Sequence, residues 1–350
     1  MSPWFLLPAV IAVAWLLTGA VRRYAITRQL LDVPNARSSH STPTPRGGGV
    51  AMVASFLPAV LWLAATDTID WPLAAALLGA GGGCALLGFL DDRGHIPARW
   101  RLLGHFAAAA WALVWLGGLP PVTIFGLTVD GGWLAQALAA VYLVWLLNLY
   151  NFMDGIDGIA AVEAISVCLG AAALYGLTRQ AAADQAGVWL PLLLAGAAAG
   201  FLAWNFPPAR IFMGDAGSGF LGITLGILSL RAATSAPPLL WSWLILLGVF
   251  VVDATFTLLR RLLRGDRVYE AHRSHAYQHA ARRCGRHLPV TLAVAGINLC
   301  WLLPIGAWVA VGGIDGGIGV LIAYTPVLIV AVRFRAGRPD GFGATSGPPA

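Results

Sequence analysis

The chain has 350 residues, of which 58% are hydrophobic and 11% are Asp, Glu, Lys or Arg, and its mean hydropathy is +0.75. A soluble domain has about a quarter charged residues, so this composition excludes a soluble protein and predicts an integral membrane protein. The net charge is +6, but all 22 basic residues are arginines in short loops between apolar stretches, so we expect no nucleic-acid partner.

Apolar stretches of roughly 17 to 22 residues can cross a bilayer as helices. The sequence contains eleven of them, at about 4–21, 48–65, 72–90, 102–119, 133–150, 159–177, 187–204, 217–233, 238–259, 289–311 and 317–333. No basic residue precedes the first stretch, so we interpret it as a retained span and not as a cleaved signal. We predict an all-α, polytopic helical bundle of about eleven transmembrane helices, with a single membrane domain over 1–335 and a disordered cytoplasmic tail over 336–350.

The arginines orient this bundle. With the N-terminus outside, 20 of the 22 arginines lie in cytoplasmic loops or in the tail, and only Arg179 and Arg231 lie outside. This distribution follows the positive-inside rule. It predicts an N-terminus outside and a C-terminus in the cytoplasm. Because nearly all other polar motifs share the arginine-rich side, we expect an active site that faces the cytoplasm.

Two cytoplasmic motifs come early in the chain. Residues 41–49 read STPTPRGGG, and exposed amides at a helix start can hold an anion together with Arg46. The alternative for this motif is a plain flexible turn. Asp91 and Asp92 directly follow the third stretch, and because adjacent acids repel each other near lipid, the pair favours a nearby metal ion or cation. The alternative for the pair is two solvated acids at a helix end.

Two further motifs combine acids with glycines. Residues 148–158 read NLYNFMDGIDG and contain Asn151, Asp154 and Asp157, and the spacing of three would place both carboxylates on one side of a helical turn. The alternative is a plain turn between two spans. Residues 205–219 read NFPPARIFMGDAGSG and place Asp215 at a predicted helix start. There Asp215 is either an N-cap or a ligand for Mg²⁺.

The longest cytoplasmic loop spans residues 260–287 and contains HRSHAYQH at 272–279. Its imidazole and guanidinium groups, in particular His272, Arg273 and His275, can donate hydrogen bonds to phosphate oxygens or to a sugar. For most arginines of this loop the alternative is contact with anionic lipid head groups. Together with the acids of the other loops, this loop is typical of metal-assisted phosphate chemistry on a lipid.

The five motifs resemble those of the polyprenyl-phosphate N-acetylhexosamine-1-phosphate transferases, the glycosyltransferase 4 family that includes the muramoyl-pentapeptide transferase. They occur in the family's order over most of the chain, as TPTPRGGGVA, GFLDDR, NFMDGIDGIA, NFPPARIFMGDAGSGFLG and HRSHAYQH. The resemblance implies a ten- or eleven-span fold in the bacterial inner membrane. It also implies Mg²⁺, with Mn²⁺ as an alternative, a UDP-N-acetyl sugar as donor, undecaprenyl phosphate as acceptor and release of UMP. Membrane lipids surround such an enzyme, and the resemblance allows a homodimer as well as a monomer.

The resemblance assigns roles to matched positions. It implies that Asp215 is the metal ligand and that the paired acids contact the lipid phosphate. It further implies that the 151–157 loop contacts the nucleotide, and that the 272–279 segment, which we call the histidine loop, contacts the pyrophosphate or the sugar. The predicted catalytic residues are Asp91, Asp92, Asp154, Asp157, His272 and His275. The predicted substrate-binding residues are Arg46, Asn151 and Arg273.

Two departures from the family pattern indicate a branch. The muramoyl-pentapeptide branch usually has three consecutive histidines, whereas here they are spread as HRSHAYQH, which looks more like the branch that initiates O-antigen or exopolysaccharide synthesis. The family often has a Lys shortly after the paired acids, but Arg93 follows them here and the chain has no Lys. The function expected is therefore initiation of a cell-surface glycan, with the muramoyl-pentapeptide reaction as the alternative.

Two other classes of membrane protein fit the sequence less well. The CDP-alcohol phosphotransferases share the start of the Asp154–Asp157 pattern, but position 162 is Val instead of Arg and the next Asp is Asp184, on the predicted outer side. A non-enzymatic transporter would have ionisable residues at mid-bilayer depth and an internal repeat. Only Glu163 and Asp253 come near that depth, and the sequence shows no repeat.

Overall fold

A computed structural model describes residues 3–34, 42–94, 96–178, 181, 184–267 and 272–339. Arg37, Ser41, Arg179 and residues 340–350 of the predicted tail lie outside the described residues. The helices in the described ranges are α1 Leu6–Thr27, α2 Val50–Ala65, α3 Trp71–Arg93, α4 Ala98–Leu116, α5 Gly132–Met153, α6 Ile159–Leu177, α7 Gln185–Asn205, α8 Asp215–Ser235, α9 Pro237–Leu246, α10 Gly248–Leu263, α11 Ala276–Cys284, α12 Leu288–Ala310 and α13 Gly316–Arg333.

All eleven predicted apolar stretches are helical. In the described ranges, eight helices are long and apolar enough to cross a membrane, and the pair α9 and α10 forms a ninth candidate that is bent by 68°. The two remaining stretches are α2, which has only 16 residues, and α4, which carries Arg99 and Arg101 in its first turn. The all-α polytopic class is thus confirmed, whereas the count of eleven spans and their orientation stay predictions.

Helix α8 lies at the centre of the bundle, with 94% of its apolar window buried, against 28% for α1 at the periphery. Its glycines allow this position, since small residues let helix backbones approach closely. A Cβ on Gly222 would lie 2.6 Å from the carbonyl oxygen of Leu146 and 2.7 Å from the Cα of Leu147, both on α5. The close α5–α8 contact therefore fixes the N-terminus of α8, where Asp215 lies.

Backbone pairing brings the early glycine turn to the same end of α8. The amides of Gly48 and Gly49 donate to the carbonyl oxygens of Phe212 and Met213, each at 2.9 Å. A Cβ on Gly49 would lie 2.4 Å from the Cα of Gly217, so only glycine fits there. Residues β1 Leu31–Asp32 and β2 Thr44–Pro45 form a short antiparallel pair before this turn, with Leu31 opposite Pro45.

The opposite end of the bundle holds a second antiparallel pair, β3 Val122–Ile124 and β4 Leu127–Val129, with Val122 opposite Val129. Trp241 Nε1 donates to the carbonyl oxygen of Thr123 at 2.8 Å. Asp315 accepts from the amide of Gly126 at 3.3 Å and also caps α13. Asp315 therefore has a structural role at this end of the bundle.

Candidate active site

The N-terminus of α8 is capped by a residue from another helix. Asp92, at the end of α3, accepts hydrogen bonds from the amides of Asp215 at 3.1 Å and Ala216 at 3.3 Å. The first amides of a helix lack acceptors within the helix and attract negative charge, so this contact stabilises the junction. The N-cap position itself is Gly214, and no side-chain cap is present there. The N-cap interpretation of Asp215 is therefore wrong, and its carboxylate serves other contacts.

Two arginines bridge the carboxylates at this junction. Arg46 Nη2 lies 2.9 Å from Asp92 Oδ1 and 2.8 Å from Asp215 Oδ1. Arg101 Nη1 lies 2.5 Å from Asp91 Oδ2 and 3.8 Å from Asp215 Oδ2. We call these five side chains the acid–arginine cluster. Burial lowers the pKa of Arg46, but attraction by Asp92 and Asp215 outweighs it and raises the pKa above its ordinary value, so Arg46 is charged.

Asp154 follows α5 directly and belongs to the same charged region. Burial raises the pKa of Asp154 well above its usual range, and repulsion by the Asp215 carboxylate raises it further, while Arg46 partly offsets both. An added cation near these carboxylates would favour the ionised form of Asp154. The region therefore carries more acidic groups than its two arginines neutralise.

Asp157 points to a different set of partners. Its Oδ2 lies 3.2 Å from His287 Nδ1 and accepts from the amide of Ala209 at 3.1 Å. Its carbonyl oxygen accepts from Thr291 Oγ1 at 2.8 Å. Residues 154–158 are not helical, and Gly158 has a φ of +74°. The expectation that both acids face one side of a helical turn is thus wrong, because this glycine ends the loop in a left-handed conformation.

Two cavities flank the acid–arginine cluster. A cavity of about 210 Å³ lies between α3, α4, α5 and α8 and is lined by Asp91, Arg101, Asn151, Phe152 and Asp215, among others. Asn151 in the last turn of α5 also donates to Ser218 Oγ at 3.1 Å. A second cavity of about 760 Å³ lies beside Arg46 and Asp92, next to the end of α1. The cluster therefore borders cavities on two sides.

The histidine loop is anchored by Asp253, a buried residue of α10. Its carboxylate accepts from the amides of Ala276 at 2.9 Å and Tyr277 at 3.0 Å, and it lies 3.4 Å from His275 Nδ1. Tyr277 in turn donates from its hydroxyl to the carbonyl oxygen of Phe152 at 2.9 Å. These bonds hold the loop against the end of α5, beside the smaller cavity.

His272 stacks on His275 with a centroid distance of 4.8 Å, and its Nδ1 lies 2.9 Å from Ser274 Oγ. The amide of Ser274 also points to this Nδ1 at 3.4 Å, so Nδ1 is the acceptor and the proton is on Nε2. Burial lowers the pKa of His272 to about 3, and the neighbouring His275 lowers it as well. His272 is therefore a neutral donor at physiological pH.

The protonation state of His272 gives a testable prediction. His272→Asn should lower turnover about 10- to 100-fold, because a hydrogen bond to a charged phosphate is worth about 1.5–3 kcal/mol. The pH profile of activity should have the same shape in the variant as in the parent between about pH 6 and pH 9, since the His272 imidazole with a pKa of about 3 does not titrate there. Stability that depends on neutral His272 is present above its ordinary pKa of 6.5 and is lost as pH falls toward 3. Activity measured over this pH range checks the prediction, and a parental rate in the variant would contradict it.

The structure brings most of the predicted site residues together. Arg46 contacts Asp92 and Asp215, and Arg101 connects Asp91 with Asp215. Asn151 lines the cavity beside them. The histidine loop adjoins this group through the ring of Phe152, which lies 6.5 Å from His272 and 6.4 Å from His275. The Arg273 carbonyl accepts from Arg282 at 3.1 Å, and its role in substrate binding stays a prediction.

Three residues that organise the site lie outside the five sequence motifs, namely Arg101, Asp253 and His287. For Arg101 a signal exists in the sequence, because an arginine ten residues after paired acids indicates a counter-charge. Each has a partner that is distant in the chain, namely Asp215, the 275–277 segment and Asp157.

Comparison with known proteins agrees with this geometry. A family model described as glycosyl transferase family 4 matches residues 74–233. A probable undecaprenyl-phosphate N-acetylglucosaminyl 1-phosphate transferase of Bacillus subtilis is 31% identical over 273 residues, which are 75% of this chain and 72% of the relative. A decaprenyl-phosphate N-acetylglucosaminephosphotransferase of Mycolicibacterium smegmatis is 29% identical over 77% of this chain and 75% of its own length.

A relative with a different printed function also matches. The phospho-N-acetylmuramoyl-pentapeptide-transferase of Desulforudis audaxviator is 32% identical over 67% of this chain and 75% of its own length. The matched region of the family model contains the paired acids, the 151–158 loop and Asp215, which are the residues that the fold gathers around α8. The family predicted from the five motifs is therefore confirmed, and this membrane-embedded enzyme belongs to glycosyl transferase family 4.

Proposed function

We propose that the enzyme transfers an N-acetylhexosamine-1-phosphate, GlcNAc-1-phosphate or that of a deoxy relative, from a UDP-sugar to undecaprenyl phosphate and releases UMP. The observation that carries the proposal is the acid–arginine cluster at the N-terminus of α8, between two cavities. The names of the Bacillus and Mycolicibacterium relatives support a polyprenyl phosphate acceptor and a GlcNAc-phosphate group.

The donor set of the cluster suits Mg²⁺. Asp91, Asp92 and Asp215 offer only carboxylate oxygens, and Mg²⁺ is usually bound by one or two carboxylates together with substrate phosphates. In the described ranges, no group of three or more His, Cys, Asp or Glu side chains is placed to hold a metal ion by itself. We assign Asp215 as the principal ligand. When bound, Mg²⁺, or Mn²⁺ in its place, would offset the charge of the pyrophosphate.

The reaction needs little covalent assistance from the protein. An oxygen of the lipid phosphate attacks the β-phosphorus of the UDP-sugar, and the bond from that phosphorus to the bridging oxygen breaks, so UMP leaves with this oxygen. The second pKa of a phosphate monoester is about 6, so the acceptor is already mostly dianionic at neutral pH. Arg46 and Arg101, which pair with carboxylates in the free enzyme, can turn to phosphate oxygens when the substrates bind.

The remaining site residues then have separate tasks. Asp91 and Asp92 handle the lipid phosphate, while Asn151 and Asp154 serve the nucleotide side. His272, His275 and Arg273 approach the pyrophosphate or the sugar. Asp157 holds the 154–158 loop to α12 through His287 and Thr291. The protein mainly positions the two substrates and screens their charge.

Initiation of O-antigen or another surface polysaccharide is the pathway position that we favour, because the histidines are spread along HRSHAYQH. Muramoyl-pentapeptide transfer is the second candidate, since a relative with that name shares 32% identity. A panel of UDP-GlcNAc, its deoxy relatives and UDP-N-acetylmuramoyl-pentapeptide, each tested for UMP release with undecaprenyl phosphate, separates the two. Turnover of the pentapeptide donor alone would overturn the favoured assignment.

The topology of the chain can be tested separately from its chemistry. We place the enzyme in the bacterial inner membrane with its active site facing the cytoplasm, supported by the arginine distribution and by the clustering of the acidic motifs at one end of the bundle. A reporter fused after Arg338 should be cytoplasmic, and one inserted at Asp130 should be outside. Finding both reporters on the same side of the membrane would contradict the span count.

A further inference from the structure

A buried polar cluster lies inside the helix bundle, apart from the acid–arginine cluster. Glu163 in α6 is fully buried, and its Oε2 accepts a hydrogen bond of 2.6 Å from Asn298 Nδ2. The same nitrogen donates to Ser166 Oγ at 2.8 Å. An ionisable side chain in a membrane bundle is costly and usually has a function. The transfer reaction described above does not use Glu163.

The cluster lies where two of the surrounding helices are irregular. Asn298 begins the π-helical turn Asn298–Leu302 within α12, and such turns are frequent at functional sites. The second irregularity is the bend of 68° between α9 and α10. The start of α10 packs against the π-helical turn, because a Cβ on Gly248, the first residue of α10, would lie 3.3 Å from Leu302 Cδ1. The Glu163–Asn298 pair therefore lies on the turn that supports the start of α10.

Helix α10 connects this buried contact with the histidine loop. Asp253 is the sixth residue of α10 and accepts hydrogen bonds from the amides of Ala276 and Tyr277. We propose that Glu163 is a positioning residue for the transfer reaction. Together with Asn298 it fixes the start of α10, and thereby the place of Asp253 and of the histidine loop. The inference rests on the proposed function of that loop.

The buried oxygens of the cluster indicate the protonation state in which the Glu163 side chain positions α10. Glu163 Oε1 and Asn298 Oδ1 have no hydrogen-bond partner within the described part of the chain. Two unpaired acceptors at one site favour a protonated carboxyl group, since its proton supplies a donor. Glutamine has the same shape, keeps an acceptor oxygen for Asn298, and adds donors. Glu163→Gln is therefore the conservative variant and Glu163→Leu the disruptive one.

The experiment measures two quantities on the purified full chain in detergent. The first is kcat and KM for the UDP-sugar, and the second is hydrogen–deuterium exchange of a peptide covering residues 272–280. Thr224→Val is the matched control, because it removes a buried hydroxyl of α8 that has no hydrogen-bond partner among the described residues. Asn298→Ala removes the donor to Glu163, and it is the variant to measure if Glu163→Leu does not fold.

Because Glu163→Leu removes the buried acceptor of Asn298, we expect it to lower kcat about tenfold or more and to speed exchange of residues 272–280 by a similar factor. Asn298→Ala should move both quantities in the same direction, while Glu163→Gln and Thr224→Val should stay close to the parent. Parental kcat and parental exchange in Glu163→Leu or, if that variant does not fold, in Asn298→Ala would overturn the inference. Glu163→Gln as impaired as Glu163→Leu would also overturn it, since charge and not positioning would then matter. A parent without transferase activity would refute the proposed function, whereas the exchange measurement would still test the positioning.

Discussion

Asp215→Asn should fold normally and lose transfer activity by about 100-fold or more, as expected when a group that stabilises the charge of the transition state is removed. The structure makes this substitution mild for folding. Gly214 occupies the N-cap position and Asp92 supplies the acceptors for the α8 amides, so Asp215 does not cap the helix. An Asn at this position still offers an oxygen to Arg46. What the variant lacks is the negative charge that a Mg²⁺ ligand provides.

The measurement is a Mg²⁺ titration of activity for the parent and for Asp215→Asn, Asp91→Asn and Asp92→Asn. Raised Mg²⁺ or Mn²⁺ should at best partly rescue Asp215→Asn. Variants of the paired acids should change acceptor use and pH dependence more than metal dependence. Asp70→Asn is the matched control, because Asp70 is the N-cap of α3 and Asn caps a helix about as well as Asp. If Asp215→Asn titrates like the parent and an Asp91 or Asp92 variant needs far more Mg²⁺, the metal is bound by the paired acids and not by Asp215.

Gly88→Ala should have a comparably large effect, although Gly88 carries no functional group. A Cβ at this position of α3 would lie 2.4 Å from the carbonyl oxygen of Asp215 and 2.6 Å from the amide nitrogen of Ala216. Both atoms belong to the backbone, so no side-chain rotation relieves the overlap and α3 must move away from α8. Overpacking of this kind costs about 1–3 kcal/mol of stability. A displacement of about 1 Å in a site can lower the rate about 100-fold.

Gly83→Ala on the same helix is the matched control for this prediction. A Cβ on Gly83 has no heavy atom within 4 Å. Alanine in a helix is about 0.5–1 kcal/mol more favourable than glycine, so this variant should be neutral or slightly stabilising. Activity and melting temperature in detergent are measured for both variants. Equal activity of Gly88→Ala and Gly83→Ala would show that the α3–α8 junction does not control the site.

The helices of this protein could be predicted from sequence because each apolar stretch is long and is ended by polar or turn residues. All eleven predicted stretches are helical. The break between α9 and α10 could not be predicted, since the residues around Leu247 remain apolar and a bend leaves the hydropathy of a stretch unchanged. The π-helical turn at Asn298 escaped prediction for the same reason. Apolar composition indicates that a stretch is helical and buried in lipid, but not whether it is straight.

The acidic residues of the site could be predicted because paired and clustered carboxylates are unusual beside lipid. Their partners could not, because Asp92 caps a helix that begins 123 residues later and Arg46 lies 169 residues before Asp215. For Asp157, the predicted helical turn was replaced by a loop tied to His287. Sequence spacing describes neighbours within one helix, whereas these contacts depend on how separate helices pack.

The most direct test of the account is the stoichiometry of the reaction catalysed by the purified enzyme. Undecaprenyl phosphate, UDP-GlcNAc and Mg²⁺ are incubated with the parent protein and with Asp215→Asn, and both UMP and the lipid-linked product are quantified by mass spectrometry. We expect one UMP for each undecaprenyl-pyrophosphoryl-GlcNAc formed by the parent, and almost none of either product with Asp215→Asn. Release of UDP in place of UMP, or UMP release without a lipid pyrophosphate, would contradict it.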